Sequence, residues 1–133
     1  MAACMFNAAI ARQGLSDQYL ALSAGTYALS GAPASDHAQL AMQRRGLALS
    51  DHRSQAVTGV LLEMCDLIVG ITPHHLQQLR MMYPRCCVPM IALVDPPVSD
   101  PYGGDEHAYE QAACDIQRQL PALISQLRKE NAP

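Results

Sequence analysis

Two short, uninterrupted apolar runs with a helical segment between them restrict this chain more than any other feature. The runs are "DLIVGIT" (Asp66–Thr72) and "VPMIALV" (Val88–Val94). Each has strand length and is apolar at successive positions, so both of its faces must be covered, as in a parallel sheet buried under helices. Thr72-Pro73 reads as an N-cap followed by a proline at the first helical position, and the helix it opens runs to about Met82, before Tyr83-Pro84. Strand, helix, strand with no hairpin turn predicts a βαβ unit.

The remaining segments extend the same pattern. Apolar residues at Met1, Met5, Ala8, Ala9 and Ala11 have helical spacing, and Gly14 stands where a helix terminates. "YLALSAG" (Tyr19–Gly25) reads as a short strand running into a turn. Ser35 is placed to cap a helix over about Asp36–Arg45, closed by Gly46. A further helix is expected over roughly Ala56–Met64, with Gly59 a weak spot, and a long one over Asp105–Lys129, interrupted only at Pro121. The predicted fold is a three-layer α/β domain, a short parallel sheet flanked by helices. At 133 residues the chain is one domain, with enough length to bury a single core. One feature is out of place: such a domain normally opens on a strand, and this chain opens on a helix.

Composition narrows the function classes. The formal net charge is −3 and the basic residues, nearly all arginine, are scattered. No basic cluster interleaves with aromatics, so nucleic acid is not an expected partner. The apolar runs are too short to cross a bilayer, and "MAACMFNAAIARQG" lacks the basic region of a signal peptide. The five cysteines (Cys4, Cys65, Cys86, Cys87 and Cys114) are odd in number and lack CxxC spacing, which argues against a disulfide framework or a zinc site. Reduced thiols in the cytoplasm are the expected state. Cys4, Cys65 and Cys114 read as small core residues. His74–His75 are adjacent on a predicted helix, point in different directions, and read as a solvated first turn rather than a metal site.

Four strings in order then resemble the low-molecular-weight protein phosphatase family. They are "SAGT" (Ser23–Thr26) after the first visible strand, "GLALSDHRSQAVT" (Gly46–Thr58), "DLIVGIT" followed by its helix, and "DPYGGD" (Asp100–Asp105) before the terminal helix. With their order and separations, the resemblance extends over nearly all of the chain. Members of that family begin with a strand and a Cys-x5-Arg phosphate loop, followed by a helix like the one that "MAACMFNAA" resembles. No Cys-x5-Arg occurs in the sequence: six residues after the cysteines stand Ile10, Ile71, Ala92, Leu93 and Leu120. The resemblance therefore implies a domain lacking its first strand and phosphate loop, with roughly ten to twenty residues expected ahead of Met1. In the family that strand is central, lying between those matching "YLALSAG" and "DLIVGIT". Removing it would expose apolar strand surface, so the chain alone is expected to be poorly stable, rearranged, or oligomeric through the gap.

The resemblance also implies site residues. Asp100 matches the general acid, which protonates the leaving group and then activates water. Taken alone, Asp-Pro-x-Gly is also an ordinary type I turn with aspartate first, and the two readings are compatible. Asp95 is a local competitor without the aromatic and glycines that follow Asp100. Tyr102 resembles a wall of the substrate pocket, or is a partly buried loop aromatic, and Tyr27 lines the opposite rim or is an exposed loop tyrosine. Ser23 and His52 match residues that hold the phosphate loop in shape; otherwise they are a turn serine and a surface histidine. Asp105, Glu106 and Glu110 suit a helix N-terminus electrostatically.

The function implied is hydrolysis of a phosphorylated protein side chain, tyrosine or arginine, through a cysteinyl-phosphate intermediate, with no metal or cofactor. The Tyr-Gly-Gly after Pro101 is closer to bacterial members, including those acting on phosphoarginine. Such chemistry needs a thiolate held ionised by backbone N–H groups at a helix N-terminus and an arginine gripping the phosphoryl oxygens. With both absent, the chain itself is expected to be inactive. A non-catalytic remnant that binds a partner is the alternative. An arsenate reductase-like enzyme is a further one, but Cys86 and Cys87 precede a strand instead of lying near the loop of Asp100.

Overall fold

The computed structural model describes residues 1–132. Helix α1 (Ala2–Arg12) buries Met5, Phe6 and Ile10. It ends at Gly14, whose φ of 69° is a left-handed conformation open to glycine and strained for other residues. Helix α2 (Asp36–Gln43) is capped by Ser35, whose Oγ accepts the Ala38 N–H at 3.2 Å. Helix α3 (Gly59–Glu63) begins three residues later than the sequence suggests. Residues 55–57 are held instead beside Gly25, with the Gly25 N–H on the Gln55 carbonyl (2.9 Å) and the Val57 N–H on the Gly25 carbonyl (3.1 Å). The Thr58 hydroxyl then caps the helix, so Gly59 stands at its first position rather than weakening its middle.

Strand β1 (Ile68–Gly70), helix α4 (Pro73–Met82) and strand β2 (Met90–Ala92) form the expected βαβ unit. Thr72 caps α4 with Pro73 in its first turn. The strands are parallel, with Ile68 opposite Met90, Val69 opposite Ile91 and Gly70 opposite Ala92. Side chains alternate across the sheet. Ile68 packs with Leu62, Leu76 and Leu79 of α3 and α4. Leu67, Val69 and Ile71 face the larger core, built on α1, α2 and the terminal helix α5 (Glu106–Glu130). The result is the predicted three-layer arrangement, helices on both faces of a short parallel sheet.

Helix α5 continues unbroken past Pro121 and buries Tyr109, Ala112, Ala113, Ile116, Leu120, Leu123 and Ile124. These residues recur every three or four positions, the spacing of one helix face. The face opposite α2 is fastened by charge. Arg44 pairs with Glu106, and the Arg45 guanidinium reaches Glu110 (2.8 Å), Gln117 (3.0 Å) and the Ala41 carbonyl (2.8 Å). These pairs hold the Arg45 guanidinium above its ordinary range and the Glu110 carboxyl below its own, in each case first through the hydrogen bond between them. Cys114 belongs to this polar cluster, its Sγ 3.3 Å from the Arg45 guanidinium, and is not the apolar core residue its sequence context suggests.

The strand expected over Tyr19–Gly25 does not form. The segment makes only an isolated bridge, Gly25 to Ala56, while Leu20 and Leu22 stay 75% and 59% exposed. A strand needs a neighbouring backbone for its ladder, and among the described residues the sheet contains β1 and β2 alone. Asn7 of α1 replaces part of that ladder. Its Oδ1 accepts the Ala21 N–H at 2.8 Å, and its Nδ2 donates to the Ala21 carbonyl at 2.9 Å. Between this segment and β1 lies a groove of about 280 Å³ lined by residues 22–26 and 67–71 together with α3 and α4 residues.

Candidate functional site

The acid candidate lies in the loop that follows β2. Asp100 is exposed, and its Oδ1 accepts the Tyr102 N–H at 3.0 Å. This bond across two residues is an Asx turn. The backbone turn itself closes one residue later than an Asp-first type I turn would: the Gly104 N–H donates to the Pro101 carbonyl at 2.8 Å. Gly103, with φ of 75°, occupies the third turn position, which is the mark of type II. Gly104 is required by space, because a Cβ there would lie 2.9 Å from the Pro101 oxygen and 2.8 Å from the Ala108 Cβ. Asp105 then starts α5 by accepting the Ala108 N–H at 2.9 Å. The loop is thus built from both ends, and it presents one fixed carboxylate oxygen and one free one.

The aromatics are more open than partly buried loop residues would be. Tyr102 is 89% exposed and Tyr27 is 83% exposed. Ser23 is exposed, and its carbonyl accepts Gln55 Nε2 at 2.8 Å. Among the described residues, Asp100, Tyr102, Tyr27 and Ser23 share no hydrogen bond beyond that of Tyr102 to Asp100. His52 is half-buried, and its pKa is depressed by burial first, then by the positive chain N-terminus and Arg53. His52 therefore lies close enough to the start of α1 to feel its charge. The amine of Met1 is itself largely removed from water, and that burial lowers its pKa.

Sequence reasoning missed Asn7 and Gln55, which between them hold residues 21–25 in line. Both lie inside strings that carry the resemblance, Asn7 in "MAACMFNAA" and Gln55 in "GLALSDHRSQAVT", but neither string shows which backbone its amide side chain would reach. The cysteines offer no nucleophile geometry. Cys4 is half-buried with its Sγ 3.7 Å from the Ala48 carbonyl, and Cys65 points back to the Leu61 carbonyl at 3.2 Å. Among the described residues, no group of three or more metal-ligating side chains clusters, and no helix is long and apolar enough to cross a membrane.

Known proteins share this layout. Residues 1–132 match the family profile described as low molecular weight phosphotyrosine protein phosphatase. A probable low molecular weight protein-tyrosine-phosphatase, EpsP, of Ralstonia nicotianae is 33% identical over 110 residues, 80% of this chain and 76% of that protein. The protein-arginine-phosphatase of Bacillus subtilis is 29% identical over 136 residues, 98% of this chain and 89% of that protein. A solved YwlE arginine phosphatase, 29% identical, superimposes with a TM-score of 0.89, covering 98% of this chain and 88% of its own. The low molecular weight protein tyrosine phosphatase of T. tengcongensis, 27% identical, does so with a TM-score of 0.85 over 94% of this chain and 88% of its own. This chain belongs to the low molecular weight phosphotyrosine protein phosphatase family.

Proposed function

We propose that this chain is the acid-bearing body of a protein phosphatase acting in the cytoplasm on phosphotyrosine or phosphoarginine through a cysteinyl-phosphate intermediate. The observation that supports this most directly is the Asp100 loop. One carboxylate oxygen is tied to the Tyr102 N–H and the other is free in solvent, the state a group needs to hand a proton to a leaving group and then take one from water. Tyr102 and Tyr27, both exposed, would flank the side chain carrying the phosphoryl group. His52 and Ser23, as the family resemblance implies, would steady a phosphate loop placed ahead of α1.

The phosphoryl group itself needs a thiolate and an arginine in one loop. No cysteine of the chain is followed by arginine six positions on, so the 133 residues by themselves would not turn over substrate.

The test is hydrolysis of an aryl phosphate and of a phosphoarginine peptide by two proteins. One is the chain as it stands, and the other has a strand and a Cys-x5-Arg loop joined ahead of Met1. Turnover by the longer form alone, at a rate that falls when Asp100 is changed, supports the reading. Turnover by neither favours a non-catalytic binding module on the same fold.

A further inference from the structure

We propose that Gln119 of α5 is a positioning residue for the acid loop: its carboxamide clamps the chain between β2 and Asp100 and so fixes where the carboxylate is held. Its bearing on proton transfer rests on the role assigned to Asp100 above, whereas the clamp itself does not. The Asp95 N–H donates to Gln119 Oε1 at 3.2 Å, and Gln119 Nε2 donates to the Pro96 carbonyl at 2.7 Å and to the Asp115 carbonyl at 3.0 Å. The carboxamide thus engages its acceptor and both of its donors. It fits only one way round, because its nitrogen meets two carbonyl oxygens and its oxygen meets an N–H. The bond to Asp115, one turn back in α5, ties the amide to the helix, so the loop is pinned to a fixed point.

The loop has little else to hold it. Pro96 and Pro97 have no N–H to donate. Among the described residues, Gln119 is the one side chain outside the loop that hydrogen-bonds residues 94–99. Val98 is the second anchor, buried in the core that also contains Ile116 and Leu120 of α5. Each proline has a fixed φ, and the residue before a proline is restricted as well. The segment Asp95–Pro97 is therefore stiff, and a shift at its clamped end is passed on to Val98 and beyond. Only Ser99, which is exposed, separates Val98 from Asp100. Asp100–Gly104 is a closed unit, with the Tyr102 N–H on Asp100 Oδ1 and the Gly104 N–H on the Pro101 carbonyl. The carboxylate thus hangs between two attachments to α5, Gln119 on one side and the Asp105 cap on the other. A proton donor works only within hydrogen-bond reach of its target, so the clamp sets the geometry on which transfer depends.

Two variants test the clamp in the 133-residue chain. Gln119→Met keeps the length and helix preference of the side chain but none of its bonds. Gln119→Glu keeps the acceptor for Asp95, sets a second oxygen against the Pro96 carbonyl, and carries the test if the first variant fails to fold. Amide exchange is read by NMR at Tyr102 and Gly104, neither of which is bonded to Gln119. Both are expected to exchange about three- to tenfold faster in either variant. Asn7→Ala, the control for general loss of stability, is expected to leave them unchanged. Faster exchange at Asp95 alone, or an equal rise in the Asn7→Ala control, overturns the clamp.

The catalytic half is read in the form with a strand and a Cys-x5-Arg loop joined ahead of Met1, on an aryl phosphate with a poor leaving group. Gln119→Met is expected to lower kcat about tenfold with KM unchanged, and to add no further loss on top of Asp100→Asn. Substitutions at sites that share no contact normally add, so fully additive losses overturn action through Asp100. Turnover that is absent from the longer form, or unaffected by Asp100→Asn, counts against the phosphatase reading. Exchange at Tyr102 and Gly104 in the 133-residue chain then still decides whether Gln119 holds the loop.

Discussion

The carboxamide of Asn7 grips both backbone groups of Ala21, at 2.8 and 2.9 Å, and so performs for one residue what a neighbouring strand performs for several. An amide side chain can do this because it carries a donor and an acceptor side by side, in the same spacing as a peptide group. The bond pair joins α1 to a segment that otherwise makes one isolated bridge, from Gly25 to Ala56 in the loop before α3. It is the reason that Tyr19–Gly25 keeps a strand-like course without being a strand.

Asn7→Ala should therefore loosen that segment. With the Ala21 N–H and C=O left half-buried and unpaired, a loss of about 1–2 kcal/mol is expected. Urea unfolding would measure it, and amide exchange should rise first at residues 20–24. An unchanged exchange pattern would show that the segment is held by other means.

Gly70 sits where β1 passes under α4. A Cβ there would lie 2.7 Å from the Leu76 side chain and 3.0 Å from the Thr72 carbonyl. Gly70→Ala must push Leu76 out of its core position and is expected to cost about 1–3 kcal/mol. Thermal unfolding is the check, and Gly70→Ala combined with Leu76→Val should recover part of the loss if the clash is the cause.

Glu110 neutralises Arg45, whose side chain is only 12% exposed. Glu110→Gln leaves that guanidinium without its carboxylate and is expected to destabilise the chain by about 1 kcal/mol at neutral pH. Because the Glu110 carboxyl is depressed below 4.5, its contribution is complete above the unfolded value and is lost as pH falls through the lower, folded one. The difference between wild type and variant should thus shrink in that acidic window, as measured by unfolding at several pH values.

His52 is depressed below 6.5 by burial and by nearby positive charge. A depressed folded pKa means that stability is complete above the unfolded value and declines as pH falls from there toward the folded pKa. His52→Gln should flatten this decline below about pH 6.5. If the variant and the wild type lose stability in parallel over that range, the histidine is not the titrating group.

Asp100→Asn is best studied in a form that carries a strand and a Cys-x5-Arg loop ahead of Met1. Loss of the proton donor is expected to lower kcat by about 10²–10⁴-fold. The loss should be smaller for aryl phosphates whose leaving groups need no proton. Equal losses for good and poor leaving groups would mean that Asp100 acts by shaping the loop rather than by proton transfer.

Much of the architecture is legible in the sequence because it depends on local chemistry. Ser35, Thr72-Pro73, Gly14 and Gly46 mark helix ends whose caps and left-handed turns involve only neighbouring residues, and the structure places each as expected. The runs Asp66–Thr72 and Val88–Val94 are apolar on both faces, which permits only a covered parallel sheet. The "DPYGGD" loop also announces itself, although its backbone turn is type II at Pro101–Gly104 and not type I at Asp100. The positive φ belongs to Gly103, and either glycine of the pair could have carried it on sequence grounds.

What the sequence leaves open depends on partners far along the chain. Whether Tyr19–Gly25 becomes a strand is decided by the presence of a neighbouring backbone, which no residue within the segment encodes. Whether Glu110 merely favours a helix end or clamps Arg45 depends on how α2 meets α5, 65 residues apart along the chain. Residue order sets propensity, cap and face, because these act over one or two turns. Only the tertiary structure could show that Asn7 holds Ala21 by both backbone groups and that Gly25 meets Ala56, because such contacts exist only once distant residues have been brought together.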